Sequence, residues 1–93
     1  MTFRNPVKEL RSKYFTIRRD TSDNDICLMV DYSRNINPDM EVAIRNVCDD
    51  MSSEKTIHYL LGVKKKTRRI ILRGDIGATD LYDALNKSLD GLE

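Results

Sequence analysis

Tryptophan is absent from the 93 residues, histidine occurs once, and cysteine and proline occur twice each. Each scarcity closes a route. Four glycines and two prolines are too few for a low-complexity chain, and 40% apolar with 33% charged residues is globular composition. No apolar run approaches the roughly 18–20 residues that cross a bilayer. The opening Met1-Thr2-Phe3-Arg4-Asn5-Pro6 holds no apolar stretch of the kind a secretory leader carries, so the expected location is cytoplasmic, with no membrane partner. Cys27 and Cys48 stand far apart in apolar stretches and form no Cys-x-x-Cys pair. They read as reduced core thiols rather than zinc ligands, and neither a metal nor a cofactor is expected.

Catalytic patterns are equally scarce. His58 is the only imidazole, and its neighbours Ile57 and Tyr59 mark it as a strand side chain. Gly74-Asp75-Ile76-Gly77 lacks both the Walker lysine and the dinucleotide glycine pattern, and reads as a turn entering a helix. No nucleophile–base pair and no placed carboxylate dyad is visible, so an enzyme is not expected.

What is present is regular periodicity. Asn5-Pro6, a capping pair followed by Val7, Leu10 and Tyr14 at near-helical spacing, predicts a short N-terminal helix. From Tyr14 the period changes to two. Phe15 and Ile17 alternate with polar residues, and in the next strand, Ile26 to Tyr32, the residues Ile26, Leu28, Val30 and Tyr32 share one face, with the turn formers Asp20 to Asp25 between the two runs. This predicts a hairpin. Asn37-Pro38 then caps a helix whose stripe is Met40, Ile44, Val47, Cys48 and Met51, with Asp39 and Glu41 in its first turn. Residues 52–63 suit either a short helix or a strand, and their β-branched and aromatic content favours the strand. Ile70-Ile71-Leu72 reads as a strand covered on both faces. A last helix begins near Thr79, with Leu81, Ala84, Leu85 and Leu89 on one side and Gly91 as its stop.

The expected fold is a single α+β domain over 1–93. It is a two-layer sandwich in which two ββα units give a four-stranded antiparallel sheet, preceded by the short N-terminal helix. The outward sheet face would then hold Thr16, Arg18, Cys27, Met29, Asp31, Leu60 and Ile71. That face is mixed, and either the N-terminal helix covers it or a second copy does, giving a homodimer.

Charge carries the functional signal. A formal net charge of +1 conceals four alternating blocks. Residues 1–19 hold six basic groups and one acid, residues 20–54 two and nine, residues 55–73 seven and none, and residues 74–93 one and five. The basic blocks contain strands and the acidic blocks contain helices. Lys64, Lys65, Lys66, Arg68 and Arg69 crowd into the second predicted hairpin, whose last strand ends in Arg73, with Arg18 and Arg19 on the first hairpin. A basic hairpin can lie along a phosphate backbone and release its condensed counterions. The candidate partners are therefore nucleic acid, RNA or DNA, or an acidic protein surface. The alternative function is a protein–protein interaction module, such as an inhibitor or adaptor of a host enzyme of the kind phages and mobile elements encode.

Overall fold

The computed structural model describes residues 9–20 and 27–92. Five strands and two helices follow one another as β1 (Leu10–Arg11), β2 (Phe15–Asp20), β3 (Cys27–Ser33), α1 (Pro38–Met51), β4 (Ile57–Leu61), β5 (Thr67–Arg73) and α2 (Ala78–Leu89). The strands form one antiparallel sheet in the order β1-β2-β3-β5-β4. The α+β class and the two successive strand–strand–helix units are as the periodicity predicts.

Both helices lie on one face. Period-two alternation sends Phe15, Ile17, Leu28, Val30, Tyr32, Ile70 and Leu72 beneath them, all buried. Helix α1 packs over β5, α2 over β1 and β2, and the helices meet each other. Met40, Ile44 and Cys48 fill the core from α1, and Leu81, Leu85 and Leu89 fill it from α2, each set spaced by four residues. Ile17, Ile44 and Leu81 lose all solvent contact. Burying such a side chain contributes about 1.5–3 kcal/mol before conformational entropy is counted.

The helix starts follow from local chemistry. The Asn37 side chain accepts the Asp39 N–H at 2.8 Å, and Pro38 occupies the first helical position, where no N–H is needed. At the far end Ser52 turns extended, and its hydroxyl accepts the Arg73 N–H at 3.1 Å, tying α1 to the end of β5. Gly74 follows at φ +126°, and a Cβ there would stand 2.9 Å from the Ser53 Oγ. Only glycine fits this close crossing.

The sheet has five strands instead of four, and the predicted N-terminal helix does not extend over residues 9–14. Leu10 pairs with Ile17 and Arg11 with Thr16, forming β1, and Ser12 to Tyr14 make the turn into β2. Tertiary bonds override the helical spacing here. The Tyr82 hydroxyl donates to the Arg11 carbonyl at 3.0 Å, the Ser12 hydroxyl donates to Asn86 Oδ1 at 2.7 Å, and Leu10 packs against the core. The Asn5-Pro6 cap and the turn residues 21–26 lie outside the described residues. Residues 57–61 are a strand, and Ile71 is covered on one face only. No helix among the described residues is long and apolar enough to cross a membrane.

Candidate binding surface on the open sheet face

Opposite the helices, the sheet is uncovered among the described residues. Register fixes what lines it. One row runs straight across all five strands as Arg11, Thr16, Asp31, Arg69 and Tyr59. The next row runs Arg18, Met29, Ile71 and Ile57, and beyond it Cys27 faces Arg73. The face therefore mixes arginines with an apolar strip. Tyr59 belongs to it, 49% exposed, whereas Leu60 pairs with Arg68 and points to the helix side. The sequence places Leu60 on the open face, and the register reverses that assignment.

The eight predicted contact residues separate into three groups. Arg18, Arg69 and Arg73 lie on the open face. Lys64, Lys65 and Lys66 are exposed at the β4–β5 tip, and no described carboxylate pairs with them. Arg19 and Arg68 belong to the opposite side. The Arg19 guanidinium donates to the Ile76 carbonyl at 3.0 Å. Arg68 Nε lies 3.3 Å from Glu41 Oε2, which also accepts the Tyr32 hydroxyl at 2.9 Å. Arg68 Nε is buried and makes no hydrogen bond, so the Glu41 contact is an ion pair only. Burial and the Glu41 hydrogen bond push the Tyr32 phenol well above its ordinary value. Arg68 and Arg19 thus each make a contact on the helix side of the sheet.

Charges on the open face are partly balanced from within. Asp31 takes two hydrogen bonds from Arg69, at 2.7 and 2.9 Å. Glu9 accepts from Arg11 and, at 2.9 Å, from Arg18. The Arg11 hydrogen bond leads in holding the Glu9 carboxyl below its usual value. Arg34 braces the tip. Its backbone N–H donates to the Lys66 carbonyl at 2.8 Å, and its guanidinium donates to the Lys65 carbonyl at 3.3 Å. Below the tip, Gly62 and Lys65 take positive φ angles of 90° and 53° and close the turn with a Lys65 N–H to Gly62 carbonyl bond. Arg34 escapes the sequence reading because it sits in an acidic block, and Tyr59 escapes because four of the five β4 residues are large and apolar or aromatic.

A second polar cluster joins the end of α1 to the start of β4, lining a cavity of about 530 Å³ with Arg45, Asp49, Glu54, Thr56 and His58. The Thr56 hydroxyl reaches Asp49 Oδ1 at 2.6 Å and His58 Nε2 at 3.0 Å. A hydroxyl has one proton. Given to the carboxylate, it leaves the oxygen to accept Nε2–H, so the imidazole acts as donor. That is the reverse of a base activating a nucleophile. His58 Nδ1 is left buried and unpartnered among the described residues, and burial, with help from Arg45 and Arg68, lowers its proton affinity. Cys48 is wholly buried, its thiol pushed up to about 12 by desolvation, and Cys27 is half-buried on the open face. No group of three or more His, Cys, Asp or Glu among the described residues could hold a metal ion.

Comparison with protein-family models, with curated proteins and with solved structures finds no match to this chain.

Proposed function

We propose that this protein is a non-catalytic binder of single-stranded RNA or DNA that grips phosphates with the Lys64–Lys66 tip and the arginines of the open sheet face. The observation that carries this reading is segregation of charge by layer. Asp39, Asp49, Asp50, Asp80, Asp83 and Asp90 outnumber the exposed Arg45 and Lys87 on or beside the helices, whereas Arg11, Arg18, Arg69 and Arg73 outnumber Glu9 and Asp31 on the opposite sheet face. Such a dipole turns an approaching polyanion toward one side. Tyr59, exposed beside Arg69, offers a ring on which a base can stack. No base-reading set accompanies it, so binding would be largely sequence-tolerant.

The test is anisotropy of a labelled oligonucleotide titrated with protein at several salt concentrations. Replacing Lys64, Lys65 and Lys66 with Gln should weaken binding and flatten the log–log salt slope by about 2, the share of three single-strand phosphate contacts. Absence of binding at low salt would refute the proposal. One observation favours a second reading. The Met29–Ile71–Ile57 strip is apolar where a phosphate track has no use for it. A protein partner, as for an inhibitor or adaptor, would cover it and would be recovered stoichiometrically from nuclease-treated lysate.

A further inference from the structure

The two edges of the sheet are built differently. The β1 edge is two residues long and carries Arg11 beside Glu9, the short charged form that discourages pairing with another strand. The β4 edge is Ile57-His58-Tyr59-Leu60-Leu61, with no acidic or basic residue other than His58 and no proline, in a chain one-third charged. Ile57, Tyr59 and Leu60 are 38, 49 and 40% exposed.

Hydrogen bonding shows which groups this edge presents. The Arg34 N–H to Lys66 carbonyl bond, with Ser33 opposite Thr67, turns the Thr67 backbone groups toward β4. Leu61, Tyr59 and Ile57 therefore bond inward to β5, and the amides and carbonyls of His58 and Leu60 point out along an edge that no described strand pairs with.

Charge supplies a second, independent asymmetry. Helix α1 ends in Asp49 and Asp50 with no basic residue in its last turn, against the sign its dipole favours, and exposed Glu54 follows, with Arg45 and Lys55 nearby offsetting part of this charge. At the other end of β4 stands the Lys64–Lys66 tip, with no described carboxylate against it. Within one copy these opposite charges lie at opposite ends of the strand.

We infer that two copies of this chain pair β4 against β4 in antiparallel fashion about a two-fold axis at Tyr59. In this register His58 of each copy exchanges backbone hydrogen bonds with Leu60 of the other. Tyr59 faces Tyr59, Ile57 faces Leu61, and no like charges oppose. Each lysine tip is carried alongside Glu54, Asp49 and Asp50 of the other copy, so the net negative charge at that end of α1 meets the positive tip. All four helices stay on one side, and the two open faces join into one continuous surface. This pairing stands apart from the nucleic-acid reading, and its test is run without nucleic acid.

Sedimentation velocity of the nuclease-treated chain over a concentration series should show a monomer–dimer equilibrium that weakens with salt. In a Cys27→Ser background, Tyr59→Cys should cross-link on mild oxidation, because facing Cα atoms in a non-hydrogen-bonded pair stand about 4.5 Å apart, within disulfide range. Ile57→Cys should not cross-link, since the two copies of that position lie about 13 Å apart along the strands. Replacing Lys64, Lys65 and Lys66 with Glu should give monomer, and adding Asp49, Asp50 and Glu54→Lys should restore the dimer. A monomer at every concentration overturns the inference. So does Ile57→Cys cross-linking as readily as Tyr59→Cys, or a dimer indifferent to the lysine reversal.

Discussion

Asp31 of β3 and Arg69 of β5 stand directly opposite each other on the open face, joined by two hydrogen bonds of 2.7 and 2.9 Å. Both side chains are largely shielded, at 15 and 24% exposure. The pair pins the central strand β3 to its neighbour β5 and offsets one of the charges that the sequence assigns to a ligand.

Asp31→Ala should therefore move two properties in opposite directions. Unfolding free energy falls by about 1 kcal/mol, below the roughly 1.5–3 kcal/mol of buried hydrogen bonds to charged groups because solvent still screens part of the pair. Oligonucleotide binding tightens, because Arg69 loses its internal carboxylate. Urea denaturation and anisotropy check the two arms. Arg69→Ala should match the loss of stability without the gain in binding.

How far the sequence reveals this architecture varies from element to element. Helix α1 is legible because its cap and its stripe are both local: Asn37-Pro38 at the start, then Met40, Ile44 and Cys48. Helix α2 is legible from Leu81, Leu85 and Leu89. Strand β1 is hidden, since Leu10 and Tyr14 stand at helical spacing, whereas the bonds that hold the stretch extended come from β2 and from Tyr82 and Asn86, over 70 residues away. The face that Tyr59 occupies is hidden as well. Ile-His-Tyr-Leu-Leu has little alternation, so pairing with β5 sets its orientation. Among the candidate site residues, clustering of the lysines is local and survives folding. The fates of Arg68 and Arg69 depend on Glu41 and Asp31, partners 27 and 38 residues distant that no spacing rule reveals.

His58 should make the fold acid-sensitive. Its folded-state proton affinity is depressed below the ordinary value of 6.5, chiefly by burial. The unfolded chain then binds the extra proton first, so stability is full above pH 6.5 and declines as pH falls below it. His58→Gln keeps a donor for Thr56 and removes the titration. Thermal melts from neutral pH downward should show an earlier decline for the parent protein than for this variant. Identical profiles would contradict a depressed proton affinity at His58.

The two thiols should differ sharply in reactivity. Cys48 is wholly buried with its thiol pushed up to about 12, whereas Cys27 is half-buried on the uncovered face. A thiol reagent should modify Cys27 in the native protein and reach Cys48 only after denaturation. Mass spectrometry of the labelled peptides reads this directly, and equal labelling of both would show that the core opens readily at α1.

The most direct test of a phosphate-gripping face is an amide NMR titration of the isotopically labelled chain with a short single-stranded oligonucleotide at low salt. Phosphate gripping predicts shifts at Lys64, Lys65 and Lys66, at Arg11 and Arg18, and at Tyr59, all receding as salt is added. Shifts confined to the exposed surfaces of α1 and α2, or none at all, would contradict it.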